Sequence, residues 1–137
     1  MKIAVICNSD SLAFPAISTL ASNGWLAGVG ILARSSNRLY PPLLGMGIPQ
    51  ENLALLTKEK WETEMQAWLH AIGPDMVWVF GFPWLIPSSL LAMPEGGFLN
   101  FHFGNLPQYK GADPIFWQLK NGEEKAMLVV HRMTAAV

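Results

Sequence analysis

Lys2-Ile3-Ala4-Val5-Ile6-Cys7 is a continuous apolar, β-branched run, and Asn8-Ser9-Asp10 stops it. A run of this length without polar alternation reads as a strand buried on both faces, the kind that builds parallel sheets. Ser11 then stands where it can cap a helix whose Phe14, Ile17, Leu20 and Ala21 recur at helical spacing, up to Asn23-Gly24. Leu26 to Ala33 reads as a second strand. Strand, helix and strand in succession form a βαβ unit, whose crossover is right-handed.

The pattern repeats outward from this unit. Arg34 to Pro49 holds two Arg, three Pro and two Gly without a sustained period, so it is expected to be a surface loop with at most one short helical turn. Asn52 to Leu56 reads as a short strand, and Thr57 as the cap of a helix from Lys58 to Ile72. Trp61, Met65, Trp68, Leu69 and Ile72 share one stripe of that helix, which Gly73-Pro74 ends, and the stripe is expected to be core. Asp75 to Phe80 is another buried strand, Pro87 to Ala92 a short helix, and Phe98 to His102 a further strand. Asp113 as a cap, Pro114 at the first helical position and Gly122 after the end predict a helix over Pro114 to Asn121, and Ala126 to Met133 reads as the last strand. Alternating strands and helices imply an α/β fold, an open, mostly parallel twisted sheet with helices on both faces.

Length and composition narrow the function. The 137 residues fit one domain, 1–137, large enough to bury a core. Nine basic residues against ten acidic ones leave a net charge of -1, which offers no field to gather nucleic acid or anionic lipid. Charged residues are 14% of the chain and six residues are Trp, where ~25% charged is usual, so an uncovered apolar face and self-association into a homodimer are expected. Cys7 is the single cysteine, which excludes an internal disulfide and points to a buried thiol in a reducing compartment. The longest apolar stretch, Met76 to Ile86, is interrupted by Pro83 and is far short of the ~20 residues that span a bilayer, so no membrane partner and a cytoplasmic location are expected.

Motifs exclude several chemistries. The turn Cys7-Asn-Ser-Asp-Ser11 has no glycine where a dinucleotide-binding turn needs several, and no Gly-rich loop ends in Lys-Ser or Lys-Thr. His70, His102 and His131 are far apart in sequence, so no metal site is expected, and His70 and His131 read as structural. The informative segment is Phe98-Leu-Asn-Phe-His102. On a strand Asn100 and His102 project from the same face, at the carboxyl end where open α/β sheets place ligand crevices. An Asn amide donates hydrogen bonds and an imidazole donates or exchanges a proton, so this pair can hold a developing oxyanion or can be a pair of satisfied core polar groups.

Asn100-Phe-His102, Leu106-Pro107, Tyr109-Lys110-Gly111-Ala112 and Pro114 together resemble the signature of the formyltransferase family. Leu85-Ile-Pro87 and Met93-Pro94 also fall where methionyl-tRNA formyltransferase has a similar Leu-Pro and Met-Pro. The resemblance is strong from about Asp75 to Met133 and weak over the rest. It implies a Rossmann-like formyltransferase fold and transfer of a formyl group from 10-formyltetrahydrofolate to an amine, with no metal. Carried over, Asn100 donates to the oxyanion and His102 stabilises that charge and moves a proton, while Phe82, Trp84, Leu85 and Ile86 line the pterin pocket. Lys110 matches a basic position of the motif and reads equally well as a solvated loop charge.

The chain departs from the family in four places. The family's catalytic Asp falls immediately beyond Val137, so the domain is expected to be incomplete at its carboxyl end and to transfer little formyl group alone. Phe103-Gly-Asn105 replaces the usual small residues after the His. The glycine-free first turn differs from phosphate-accepting members, and Arg34 and Arg38 are few for the basic insertion of the tRNA-accepting ones. Formyltetrahydrofolate deformylase, with water replacing the amine, and a non-catalytic module that binds folate or dimerises remain as alternatives.

Overall fold

The computed structural model describes residues 1–135. Among the described residues six strands form one sheet: β1 (Ile3–Cys7), β2 (Leu26–Leu32), β3 (Leu53–Leu56), β4 (Met76–Phe80), β5 (Phe98–His102) and β6 (Val129–Arg132). Their order across the sheet is β3-β2-β1-β4-β5-β6. The first five pair in parallel, and β6 runs antiparallel to β5. The chain steps outward from β1 to β3 and returns to the other side of β1 at β4, so the order reverses between β1 and β4. Open α/β sheets bind ligands outside the carboxyl ends of strands at such a reversal.

Alternation along each strand sends its side chains to two apolar layers. Ala4 and Ile6 of β1, Leu32, Leu56, Val77, Val79 and Phe98 face one layer. There they meet Trp61, Met65, Trp68 and Leu69 of α3 (Trp61–Ile72) and Leu90, which lies within the short helix α4 (Ser88–Leu91). Ile3, Val5, Cys7, Val29, Ile31 and Phe80 face the other layer, beneath Ala13, Ile17 and Leu20 of α1 (Asp10–Ser22) and Leu39 and Leu43 of α2 (Ser36–Gly45). Cys7 is buried, as the sequence suggests, and the predicted stripe of α3 is core. Among the described residues no helix is long and apolar enough to cross a membrane.

Several local expectations are corrected. The span from Arg34 to Pro49 is not a loop: it holds the end of a 3-10 turn at Ala33–Ser35 and all of α2, with Pro41 and Pro42 inside that helix. Burial of Leu39 and Leu43, four residues apart on one face, outweighs the weak helical pattern and the lost proline N–H groups. Ser11 does not cap α1, which starts at Asp10, and Ala21 is exposed rather than part of the buried stripe. Thr57 does not cap α3. Its N–H and hydroxyl donate to the Glu64 carboxylate at 2.7 and 2.9 Å, so the helix begins later, at Trp61. Phe116 and Trp117 are both exposed, Trp117 at 46%, on α5 (Pro114–Lys120).

Two glycines set how closely α3 approaches the sheet. A Cβ on Gly28 would lie 2.3 Å from the Asn52 carbonyl oxygen, and one on Gly30 would lie 3.2 Å from the Trp68 ring. The indole N–H of Trp68 donates to that same carbonyl at 3.2 Å. Gly28→Ala should therefore cost about 1–3 kcal/mol of stability, the usual penalty for overpacking against an atom that cannot retreat. Denaturant unfolding measures it, and a shift in midpoint below a few tenths of a molar would show that the 50–52 turn yields.

Candidate active site

Asn100 and His102 are both half-buried and lie on β5 two residues apart, on the side of the sheet that Phe98 faces, which is the side covered by α3. The strand's alternation thus puts the two predicted polar side chains on one side of the sheet. The imidazole of His102 lies with Nε2 2.5 Å from the main-chain oxygen of Tyr109. A carbonyl oxygen only accepts, so Nε2 carries the proton and Nδ1 is the nitrogen left for exchange in the neutral ring.

The loop that supplies this carbonyl is held at several points. Tyr109 is buried, and its hydroxyl donates to Glu123 Oε1 at 2.6 Å and accepts from Asn121 Nδ2 at 3.3 Å. Gln118, the one buried polar residue of α5, donates through Nε2 to the Phe103 carbonyl at 3.0 Å. Gly104 has no room for a side chain, because a Cβ there would stand 2.6 Å from Pro114 and 3.1 Å from His102 Nε2. Pro114 begins α5 as expected, but Asp113 makes no side-chain cap and takes a left-handed φ of 54°, which an aspartate tolerates better than most residues. Lys110 is exposed.

The segment 81–87 leaves β4 through Gly81, at φ 77°, and runs outside any strand or helix. Phe82 and Trp84 form an aromatic cluster with Trp61. Trp84 stacks on Trp61 at 5.5 Å between centroids, and Phe82 meets the two edge-on at 5.2 and 5.3 Å. Leu85 is 62% exposed at the tip, whereas Ile86 is 1% exposed and belongs to the core. Trp84 also borders a cleft of about 550 Å³ reaching Leu32, Arg34, Leu56 and Lys58 at the carboxyl ends of β2 and β3. His70 is exposed on α3, away from these residues in the fold. His131, read from sequence as structural, stands beside Asn100, with Nε2 3.2 Å from Asn100 Nδ2. Nothing in the spacing of residues 100 and 131 signals this, because it depends on the pairing of β5 with β6. The position implied for a catalytic Asp lies outside the described residues.

A family model described as formyl transferase matches residues 1–137. The chain belongs to the formyl transferase family. Methionyl-tRNA formyltransferase of Acidobacterium capsulatum is 34% identical over 133 residues, covering 90% of this chain and 42% of that protein. The chain spans less than half the length of the curated relatives it matches. Among solved structures, glycinamide ribonucleotide transformylase 1 from Symbiobacterium toebii superposes with a TM-score of 0.78 at 21% identity, covering 100% of this chain and 68% of that one. A formyltetrahydrofolate deformylase from Pseudomonas syringae gives a TM-score of 0.78 at 16% identity, covering 99% of this chain and 47% of that one, a likeness of fold. The formyl transferase fold is therefore the open sheet described above, with its antiparallel β6 beside β5.

The Tyr109 hydroxyl donates its proton to Glu123, and this bond first of all holds the phenol's pKa above its ordinary value. The stability it contributes is fully present below the unfolded tyrosine pKa of ~10 and is lost as pH rises through the raised folded value. Of the two tyrosines, Tyr40 and Tyr109, one should ionise late in an absorbance titration, and Glu123→Gln should bring it down. Two tyrosines ionising together near ~10 would mean that the loop is not held this way.

Proposed function

We propose that this chain provides the formyl-donor site and the charge-stabilising groups of an enzyme that transfers a formyl group from 10-formyltetrahydrofolate to an amine. The observation that carries the reading is the pairing of Asn100 and His102 on one side of β5, at its carboxyl end. Family membership supports it.

The residues after β4 fit a flat heterocycle. Phe82 and Trp84 offer aromatic walls, Leu85 is exposed to cover one side, and the irregular main chain near Ile86 has donors and acceptors outside the sheet. Shape and apolar contact would hold the ring there while main-chain groups orient its polar edge. When bound, 10-formyltetrahydrofolate supplies an activated formyl carbon. Asn100 Nδ2 bears two N–H groups, and the one not directed at His131 donates to an oxygen that gains negative charge. His102, pinned through Nε2, takes up and returns a proton at Nδ1. Pinning keeps the ring from rotating, so this proton-handling nitrogen stays in one place.

In the formyltransferase that carries this chain, Asn100→Ala should lower kcat about a hundred- to a thousandfold, the usual cost of losing one oxyanion donor, with folate affinity little changed. His102→Ala should be at least as damaging. Bulky substitution of Phe82 or Leu85 should instead weaken folate binding. Steady-state kinetics and folate titration separate the two classes, and an Asn100→Ala enzyme with intact kcat would sink the assignment.

A further inference from the structure

We infer that His131 is a positioning residue that sets which way the Asn100 amide faces; its catalytic consequence rests on the oxyanion role proposed above. The backbone brings the two together. In the antiparallel β5–β6 pair Asn100 stands directly opposite His131, so their side chains share one face of the sheet. Opposed residues have Cβ atoms roughly 5 Å apart, within reach of an amide and an imidazole.

The hydrogen bonds then determine the proton's place. His131 Nδ1 lies 3.2 Å from the Arg132 main-chain oxygen, which can only accept, so Nδ1 bears the hydrogen. In the neutral ring Nε2 is then an acceptor, and Asn100 Nδ2, 3.2 Å away, donates to it. Turning the amide over would set Oδ1 against the Nε2 lone pair, acceptor against acceptor. The relay from Asn100 through the ring to the Arg132 carbonyl therefore selects one of two amide orientations that the side chain's broad final torsion otherwise leaves open. The Arg132 guanidinium donates through Nη1 to the Gly96 carbonyl at 2.8 Å, and Met133 N–H donates to the Phe98 carbonyl at 2.9 Å, which ties this end of β6 to the start of β5. His131 is itself exposed, so its substitution leaves the core intact.

Long-range nitrogen–proton correlation on histidine-labelled chain, at a pH well above the ordinary imidazole pKa of ~6.5, reads the tautomer directly. The Nδ1–H form is expected at His131, and a dominant Nε2–H form would overturn the inference without touching the role of Asn100. Kinetics on the formyltransferase that carries this chain test the consequence. His131→Ala should lower kcat by about tenfold, the factor worth ~1.4 kcal/mol, with the KM for the formyl donor unchanged. His131→Gln, which keeps an acceptor, should recover most of the loss, and His131→Leu, which keeps only bulk, should not. Adding His131→Ala to Asn100→Ala should cost nothing further, because the imidazole acts through the amide. An additive double variant, or a Leu variant as active as the parent, would reduce His131 to packing. If Asn100→Ala and His131→Ala both leave kcat intact, the oxyanion reading falls, and the role of His131 in turnover falls with it.

Discussion

Burial of the sheet on both faces is the constraint from which the rest of this structure follows. Five parallel strands must present apolar side chains to each layer, and helices must cover both. The cover has to come close, which is why β2 is Leu-Ala-Gly-Val-Gly-Ile-Leu: its two glycines leave space for Trp68 and the Asn52 carbonyl on one face while Val29 and Ile31 fill the other. In such a sheet a polar side chain on a strand is costly unless it has a partner. Asn100 and His102 stand half-buried toward the carboxyl end of β5, and each has one.

Those partners come from two different parts of the chain. His102 is held by the loop that follows it, through the Tyr109 carbonyl, and that loop is held in turn by Glu123, Asn121 and Gln118 around α5. Asn100 is held by β6, a strand that joins the sheet in the opposite direction. Two separate sets of polar contacts, one at β6 and one in the loop after β5, thus each hold one of the two side chains. The aromatic cluster of Trp61, Phe82 and Trp84 serves the same end after β4, since it fixes an irregular segment by packing.

Elements with strong local signals were legible as residues. The runs that became β1, β2 and β4 are apolar throughout, α3 has a clear stripe, and Pro114 marks the start of α5. Asn100 and His102 were legible as a pair because a strand's period of two is enough to place them on one side. The α2 region was not, because Pro41 and Pro42 argue against a helix locally and only the burial of Leu39 and Leu43 argues for it. The start of α3 is not legible for a related reason: the carboxylate that binds Thr57 comes from Glu64, inside the helix.

By itself the sequence determined the α/β class, the apolar strands β1, β2 and β4 and the side of β5 on which Asn100 and His102 stand, since these follow from hydrophobic period and chain alternation. Only the tertiary structure decided that β6 runs antiparallel, that His131 therefore lies opposite Asn100, that Nε2 of His102 is spent on the Tyr109 carbonyl, and that Ile86 is core while Leu85 is exposed. The physical reason is range. Alternation and capping act over a few residues, whereas residues 100 and 131 meet only once two strands pair in one register, and pairing is chosen by the whole buried surface rather than by either segment.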